Sequence, residues 1–288
     1  MPKKQSVGNA RVLITGGARG IGAATANLLA AHGARVWIGD VDEDACLHTA
    51  AELGVCGGRL DVTSAASWRD MLARIETDSD AGGPLDILVN NAGVMPLGAF
   101  EAETEQVRDL ILDVNIRGVL NGMRAVLPGM ARRGRGHIVN VASMAGMIPV
   151  PGMVTYNASK FAALGASLSA RREYAGTGVA VSAVLPSAVR TDLTSGAPLG
   201  GGMPTVDADD VAAAILAVLR TRAARRSVPR WVAPAWSMTA FVPERLQSLA
   251  RRLIDDRRAL TSIDTAARSA YIERVDRQAR THREESAS

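Results

Sequence analysis

The chain has 288 residues, with 47% apolar and 22% charged side chains, a balance that excludes a disordered chain, a fibre or a coiled coil. Its formal charge of +4 is uneven: residues 1–219 hold 18 Lys/Arg against 21 Asp/Glu, and residues 220–288 hold 15 Arg against 8 acids. The basic character therefore sits in the tail, which argues against reading the whole chain as a nucleic-acid binder.

Arg11–Thr15 is a short β-branched apolar run that ends in Gly16-Gly17, a strand followed by a turn. Ile21–Ala31 reads as a helix stopped by Gly33, and Ala34–Ile38 as a second strand ending at Asp40. Asp44–Leu53 reads as a helix, Cys56–Leu60 as a weak strand, Ser67–Thr77 as a helix and Leu85–Val89 as a strand. Glu103–Arg133 is a long helical stretch of one or two helices, and His137–Val141 a strand. Tyr156–Tyr174 is helical, Val179–Leu185 a strand, Ala208–Leu219 a helix, and Val228–Val232 a last short strand. The alternation predicts an α/β fold, a doubly wound Rossmann-type parallel sheet flanked by helices. The expected organisation is one domain over residues 8–239 and a basic helical extension over 240–288. The Gly/Pro-rich segment Ser195–Pro204 reads as a loop within that domain.

No run of 18 apolar residues occurs and the first ten residues lack a signal-peptide core, so a cytoplasmic protein with reduced thiols is expected. Two cysteines are too few for a disulfide scaffold. The four histidines show no metal-ligand spacing with each other or with the cysteines, so no metal is expected.

Gly16-Gly17-Ala18-Arg19-Gly20-Ile21-Gly22 joins the first strand to the first helix, the context a phosphate-binding turn requires. Glycines let a pyrophosphate approach the backbone, and the helix N-terminus adds partial positive charge. Asp40, 18 residues after Gly22, stands where an acid accepts hydrogen bonds from an adenosine ribose. A 2′-phosphate at about 4 Å from that carboxylate would cost on the order of 4 kcal/mol per unit of like charge, so Asp40 favours NAD over NADP. Arg19 pulls the other way, because it can pair with a 2′-phosphate.

Tyr156 and Lys160 are four residues apart in a helical stretch and share one face. A phenol with a pKa near 10 is a poor base at neutral pH, and a nearby ammonium favours the phenolate. That pair suits proton transfer to or from an alcohol oxygen. Ser143, just past the strand His137–Val141, lies at the carboxyl edge of the sheet, where its hydroxyl can hold a substrate oxygen.

With Thr15–Gly22, Asp61-Val62, Asn90-Asn-Ala-Gly93, Asn115, Ser143, Tyr156-Asn-Ala-Ser-Lys160 and Pro186–Thr191 in this order, residues 8–232 resemble the short-chain dehydrogenase/reductase family. The resemblance implies an oxidoreductase acting on CH–OH groups, with Asn115, Ser143, Tyr156 and Lys160 as the catalytic set. Lys160 would also bind the nicotinamide ribose, and Asn115 would hold a water linking Lys160 to solvent. Asn91 and Gly93 would let backbone lie against the adenosine ribose, and Asp61 and Val62 would frame the adenine. Pro186, Val189 and Thr191 would serve the nicotinamide side, with Ile21 and Tyr156 also against the cofactor. Asn90 is expected to tie strands together. Ser187 stands where the family usually has glycine, and the familiar Val-Asp-Gly-Gly ending is missing. A homodimer or homotetramer is implied, pairing Glu103–Arg133 and Tyr156–Tyr174 across a two-fold.

The uncharged loop Met144–Val154 is expected to floor the substrate pocket, with Met95 facing it and Leu193–Pro204 as a lid. Methionines suit an adaptable apolar pocket, so a lipophilic secondary alcohol or ketone is expected. In the tail, Leu246, Leu249 and Leu253 form a helical stripe among Arg245, Arg251, Arg252, Arg257 and Arg258, preceded by Trp231, Trp236 and Phe241. It fits a helix packed on the body or a partner subunit, a pocket cover, or a peripheral membrane helix. Residues 282–288 are expected to fray. Three other functions compete: an NADPH-linked carbonyl reductase of the same fold, a non-catalytic dinucleotide-binding protein acting through its tail, and a nucleic-acid binder. The low aromatic content and the intact Tyr156/Lys160/Ser143/Asn115 set argue against the last two.

Overall fold

The computed structural model describes residues 7–79, 82–197, 204–238 and 258–287. Strands β1 (Arg11–Thr15), β2 (Arg35–Asp40), β3 (Cys56–Arg59), β4 (Ile87–Asn90), β5 (Gly136–Val141), β6 (Val179–Pro186) and β9 (Arg225–Val228) form one sheet in the order β3-β2-β1-β4-β5-β6-β9. Every pairing in it is parallel. The central strands read as unbroken apolar runs because both sheet faces are covered. Helices α1 (Gly20–Ala31) and α2 (Glu43–Leu53) cover one face, with α7 (Ala208–Thr221) beside them; Leu29, Ala50 and Ile215 share that core. Helices α3 (Ala65–Thr77) and α5 (Val119–Arg132) cover the other, where Trp68, Met71 and Met123 pack. The order in which strands are added to the sheet reverses between β1 and β4, which opens a crevice at the carboxyl ends of the strands.

Local chemistry starts and stops the helices. Asp42 caps α2 by accepting from the Ala45 amide, and Gly54 ends it in the left-handed conformation. Asp207 and Asp210 form a reciprocal cap on α7. Helix α4 (Glu105–Leu112) runs through a π-helical turn (Asp113–Gly118) into α5. The single long stretch expected over 103–133 thus has a bulge in its middle. Helix α6 (Val154–Glu173) carries Tyr156 and Lys160. A small parallel pair, β7 (Ala188–Arg190) and β8 (Thr205–Asp207), ties the segment after β6 to the start of α7.

Two expectations are corrected. The last strand is Arg225–Val228, and Val232 opens helix α8 (Val232–Met238), burying Val232 and Ala233 against Leu185 and Ala142. The C-terminus does not fray at residue 282: after the short α9 (Arg258–Thr261), helix α10 runs Thr265–Ala287. The apolar stripe of Leu246, Leu249 and Leu253 with Arg245, Arg251, Arg252 and Arg257 lies outside the described residues, as do Phe241 and residues 198–203 of the expected lid. No helix among the described residues is long and apolar enough to cross a membrane.

Candidate active site

The glycine turn is set by what it must avoid. Gly16 adopts φ +64°, and a Cβ there would stand 2.8 Å from the Ala92 backbone. A Cβ on Gly22 would stand 2.1 Å from the Gly16 carbonyl oxygen, so α1 starts directly against the turn. The Asn91 side-chain amide donates to the Thr15 and Gly16 carbonyls at 3.0 Å each and pins the turn to the end of β4. Asp40 accepts from the Ala18 amide at 3.2 Å and from the Asp42 amide at 3.2 Å. Burial nevertheless holds its carboxyl above the ordinary value. Arg19 forms its ion pair with Asp42, while its charge still acts on Asp40. Asp61 folds back to accept from the Thr63 amide and hydroxyl at 2.8 Å each.

Four side chains converge where the crevice deepens. Tyr156 is buried on α6, with the Ser143 hydroxyl close enough to act on its phenol. Ser143 accepts from the Ala145 amide at 3.0 Å, which leaves its own proton for the phenol or for a substrate oxygen. Burial pushes the Tyr156 phenol above its usual value, and the Ser143 hydroxyl opposes that. Lys160 lies one turn on, its Nζ 5.6 Å from the Tyr156 ring centre and donating to the Val141 carbonyl at 3.2 Å. Burial pulls the ammonium down to about 8. The Lys160 Nζ and the Asn115 Oδ1 come so near Gly93 that a Cβ there would meet them at 3.4 and 3.2 Å.

Asn115 sits in the π-helical turn, fully buried, and its side chain is spent on structure. It accepts from the Val94 amide and donates to the Val94 carbonyl, both at 2.9 Å, and donates to the Ser159 hydroxyl at 3.0 Å. The bulge places this amide against the strand-β4 loop, a common use of a π turn at a working site. Asn90 donates to Asn140 on β5 at 2.8 Å, the strand tie expected of it. Ser187, the departure from the family pattern, donates to the Pro204 carbonyl and so joins β7 to the segment before β8.

These groups border one cavity of about 890 Å³. Of the site residues expected from the sequence, all but Gly22 and Asn115 line it; Gly22 is the packed floor of the turn, and Asn115 lies behind the wall. Beyond Tyr156 the lining is apolar, with Met95, Ile148, Met153, Leu193 and Trp236. The Trp236 indole donates to the Met147 carbonyl at 3.1 Å, which fixes α8 on the 144–154 loop. A dinucleotide fits the donor set: a glycine cradle with no room for side chains, a helix N-terminus for phosphates, and a carboxylate at the end of β2 for a ribose.

One wall was not foreseen residue by residue. Helix α10 packs on α4, with Tyr271, Val275 and Ala279 buried against Val94, Leu110 and Ile111. Arg268 is 1% exposed and donates to the carbonyls of Met95, Leu193 and Ser195. The Met95 amide donates to the Tyr271 hydroxyl at 2.7 Å, and His282 meets Asp113 at 2.7 Å. This helix, C-terminal to the stripe for which the tail readings were made, packs on its own body and also borders the cavity. The spacing Tyr271, Val275, Gln278, His282 marks one helical face, but with two apolar members it is too weak to separate from a solvated helix.

Comparison with known proteins settles the family. The sequence profile described as short chain dehydrogenase matches residues 10–198. This chain belongs to the short-chain dehydrogenase family of oxidoreductases. It is 38% identical over 191 residues to a 2,5-dichloro-2,5-cyclohexadiene-1,4-diol dehydrogenase of Sphingobium indicum, covering 65% of this chain and 75% of that protein. It is 40% identical over 190 residues to a 3-alpha-(or 20-beta)-hydroxysteroid dehydrogenase of Mycobacterium tuberculosis, covering 65% and 71%. Among solved structures, levodione reductase superposes with a TM-score of 0.67 at 27% identity, covering 74% of this chain and 91% of that one. Family dehydrogenases act on CH–OH groups of small molecules, and that coarse activity class applies here. Helix α10 lies beyond the matched residues.

Proposed function

We propose that this protein is an NAD(H)-dependent dehydrogenase/reductase interconverting a lipophilic secondary alcohol and its ketone, with Tyr156 as the acid/base. The observation that carries the reading is the meeting of Tyr156, Ser143 and Lys160 at the deep end of a cavity whose other end is the glycine turn. The bound nicotinamide supplies or accepts the hydride. Ser143 donates its proton to the substrate oxygen and holds it beside the phenol. Tyr156 takes the alcohol proton in oxidation and returns it in reduction. The Lys160 ammonium favours the phenolate by its charge and would hold the nicotinamide ribose. Because the Asn115 side chain is committed to Val94 and Ser159, a proton relay at this position would use its backbone in the π turn.

NAD is favoured over NADP by two carboxylates. Asp40 borders the ribose end of the cavity, and Asp42 occupies Arg19, the cation that a 2′-phosphate would need. Pro186, Val189 and Thr191 line the cavity and would contact the nicotinamide, and Asp61 and Val62 line it and would frame the adenine. An apolar substrate is favoured by the apolar lining beyond Tyr156, and two relatives are named for a chlorinated cyclohexadienediol and a hydroxysteroid. Exposed Leu120 on α5 and Phe161 on α6 favour a homo-oligomer built on these helices.

Titration of the protein with NADH and NADPH, followed by nicotinamide fluorescence, tests the reading. NADH should bind at least tenfold tighter. The reverse order would hand the selection to Arg19 and make the protein an NADPH-linked reductase, and binding of neither would end the dehydrogenase reading.

A further inference from the structure

Helix α10 is more than a packed tail. Tyr271, Arg274, Gln278, Thr281 and His282 all border the cavity, so one face of the helix follows it lengthwise. From Tyr271 to His282 that face extends about 16 Å at the usual rise per residue. It runs from Met95, beside the catalytic end, to Asp113 at the end of α4, and both ends are tied down by hydrogen bonds.

Arg274 occupies the middle of this face. Its guanidinium stacks 5.4 Å from the Tyr271 ring centre, which has Arg268 at 4.6 Å. Its nearest acid is Asp192, at 3.8 Å and 66% exposed, a distance and exposure at which an ion pair is weak. Asp192 follows Thr191, whose methyl lies over Gly20 of the glycine turn. On the other side Arg274 also acts weakly on Asp42, whose carboxyl is held below its ordinary value chiefly by Arg19. Arg274 thus lies between the Thr191 side and the Asp42 side of the glycine turn, facing the start of α1. Two positive groups border the same cavity, the α1 N-terminus and this guanidinium. Their repulsion is relieved when an anion lies between them.

We propose that Arg274 is a cofactor-binding residue that closes the C-terminal helix over the diphosphate of the dinucleotide, opposite the glycine turn. The inference rests on the dinucleotide reading above and deepens it. Arg277, three residues on, borders the same cavity and has no acid partner among the described residues, so it extends the positive rim. Asp192 competes with the diphosphate for Arg274 and keeps the guanidinium in place between cofactors.

The test uses the full chain and NADH fluorescence, with adenosine as a ligand that has no phosphate. Arg274→Gln should weaken NADH binding tenfold or more and flatten its dependence on salt, while adenosine affinity changes less than twofold. Arg274→Lys should recover part of the loss, and Asp192→Asn should tighten NADH binding. Circular dichroism and melting of each variant report whether α10 still docks. Wild type that binds NADH with Arg274→Gln binding it equally well overturns the role of Arg274 alone. Equal losses for NADH and adenosine also overturn it, because they mark a general collapse of the cleft. Wild type that binds no dinucleotide removes both this inference and the reading beneath it.

Discussion

The cavity has two walls of different origin. One is built by residues 16–191 from short motifs, each doing its work within a few residues of itself. The other is α10, more than 70 residues further along the chain, outside the family match, and with few apolar side chains. The motif wall holds the chemistry: the phenol, the ammonium, the hydroxyl and the glycine cradle. The helix wall holds charge: Arg268 on three carbonyls, Tyr271 on the Met95 amide, Arg274 beside Asp192. The contrast teaches that one cavity can be walled in two ways. The first wall is set by spacing within short motifs, the second by contacts between segments far apart in the chain.

The sharpest way to divide the walls is Tyr156→Phe. It should lower turnover by roughly 10²–10⁴-fold, because it removes the proton donor and nothing else. NADH affinity should stay within about twofold, since that phenol adds little to ground-state binding of the dinucleotide. Steady-state rates with a lipophilic ketone, paired with a fluorescence titration, read both. Surviving turnover would move the acid/base role away from the motif wall.

Lys160 offers a test that needs no substrate. In the folded protein the ammonium releases its proton near pH 8, against 10.5 for the unperturbed group. Between those values the unfolded chain binds more protons, so stability rises with pH across that window. Below pH 8 both states are protonated and the burial cost is fully present. Relative to Lys160→Met, the wild type should gain about 3 kcal/mol from pH 8 to pH 10.5, a shift of roughly 2.5 units at 1.36 kcal/mol each. Urea unfolding at three pH values measures it. A flat difference would mean that water reaches Lys160 and that the catalytic end is wetter than its burial states.

Arg268→Met probes the helix wall. The thioether fills part of the space but leaves the Met95, Leu193 and Ser195 carbonyls without their donor, at a cost of about 2–3 kcal/mol. The expected signature is a lower melting temperature and faster NADH release, with the chemical step in single-turnover experiments little changed. An unchanged release rate would show that α10 does not gate the cleft.

The boundary between what sequence reasoning reaches and what it does not follows range along the chain. Tyr156 and Lys160 were legible because helix geometry alone puts residues four apart on one face. The glycine turn was legible because strand, glycines and helix are contiguous. Ser143 was placed correctly at a strand end, although its contact with Tyr156 crosses from β5 to α6. Arg19 was legible as a cation of the glycine turn and illegible as a partner of Asp42, since two acids compete for it and only the fold of the β2–α2 turn decides between them. Asn115 was placed in the site, but its side chain turned out to be structural, because the π turn that aims it at Val94 has no sequence signature. The last strand was misplaced by three residues, since Val228–Val232 is apolar enough for either a strand or the buried start of a helix.

By itself the sequence determined the alternating α/β order, the parallel sheet, the glycine turn between β1 and α1 and the shared helix face of Tyr156 and Lys160. All of these rest on spacing along the backbone, which sterics and hydrogen-bond geometry convert directly into local structure. Only the tertiary structure decided that the C-terminal helix α10 borders the cavity. Its anchors join residues 169 to 176 positions apart, and such contacts are chosen by burial and by unsatisfied carbonyls that exist only once the rest of the chain has folded.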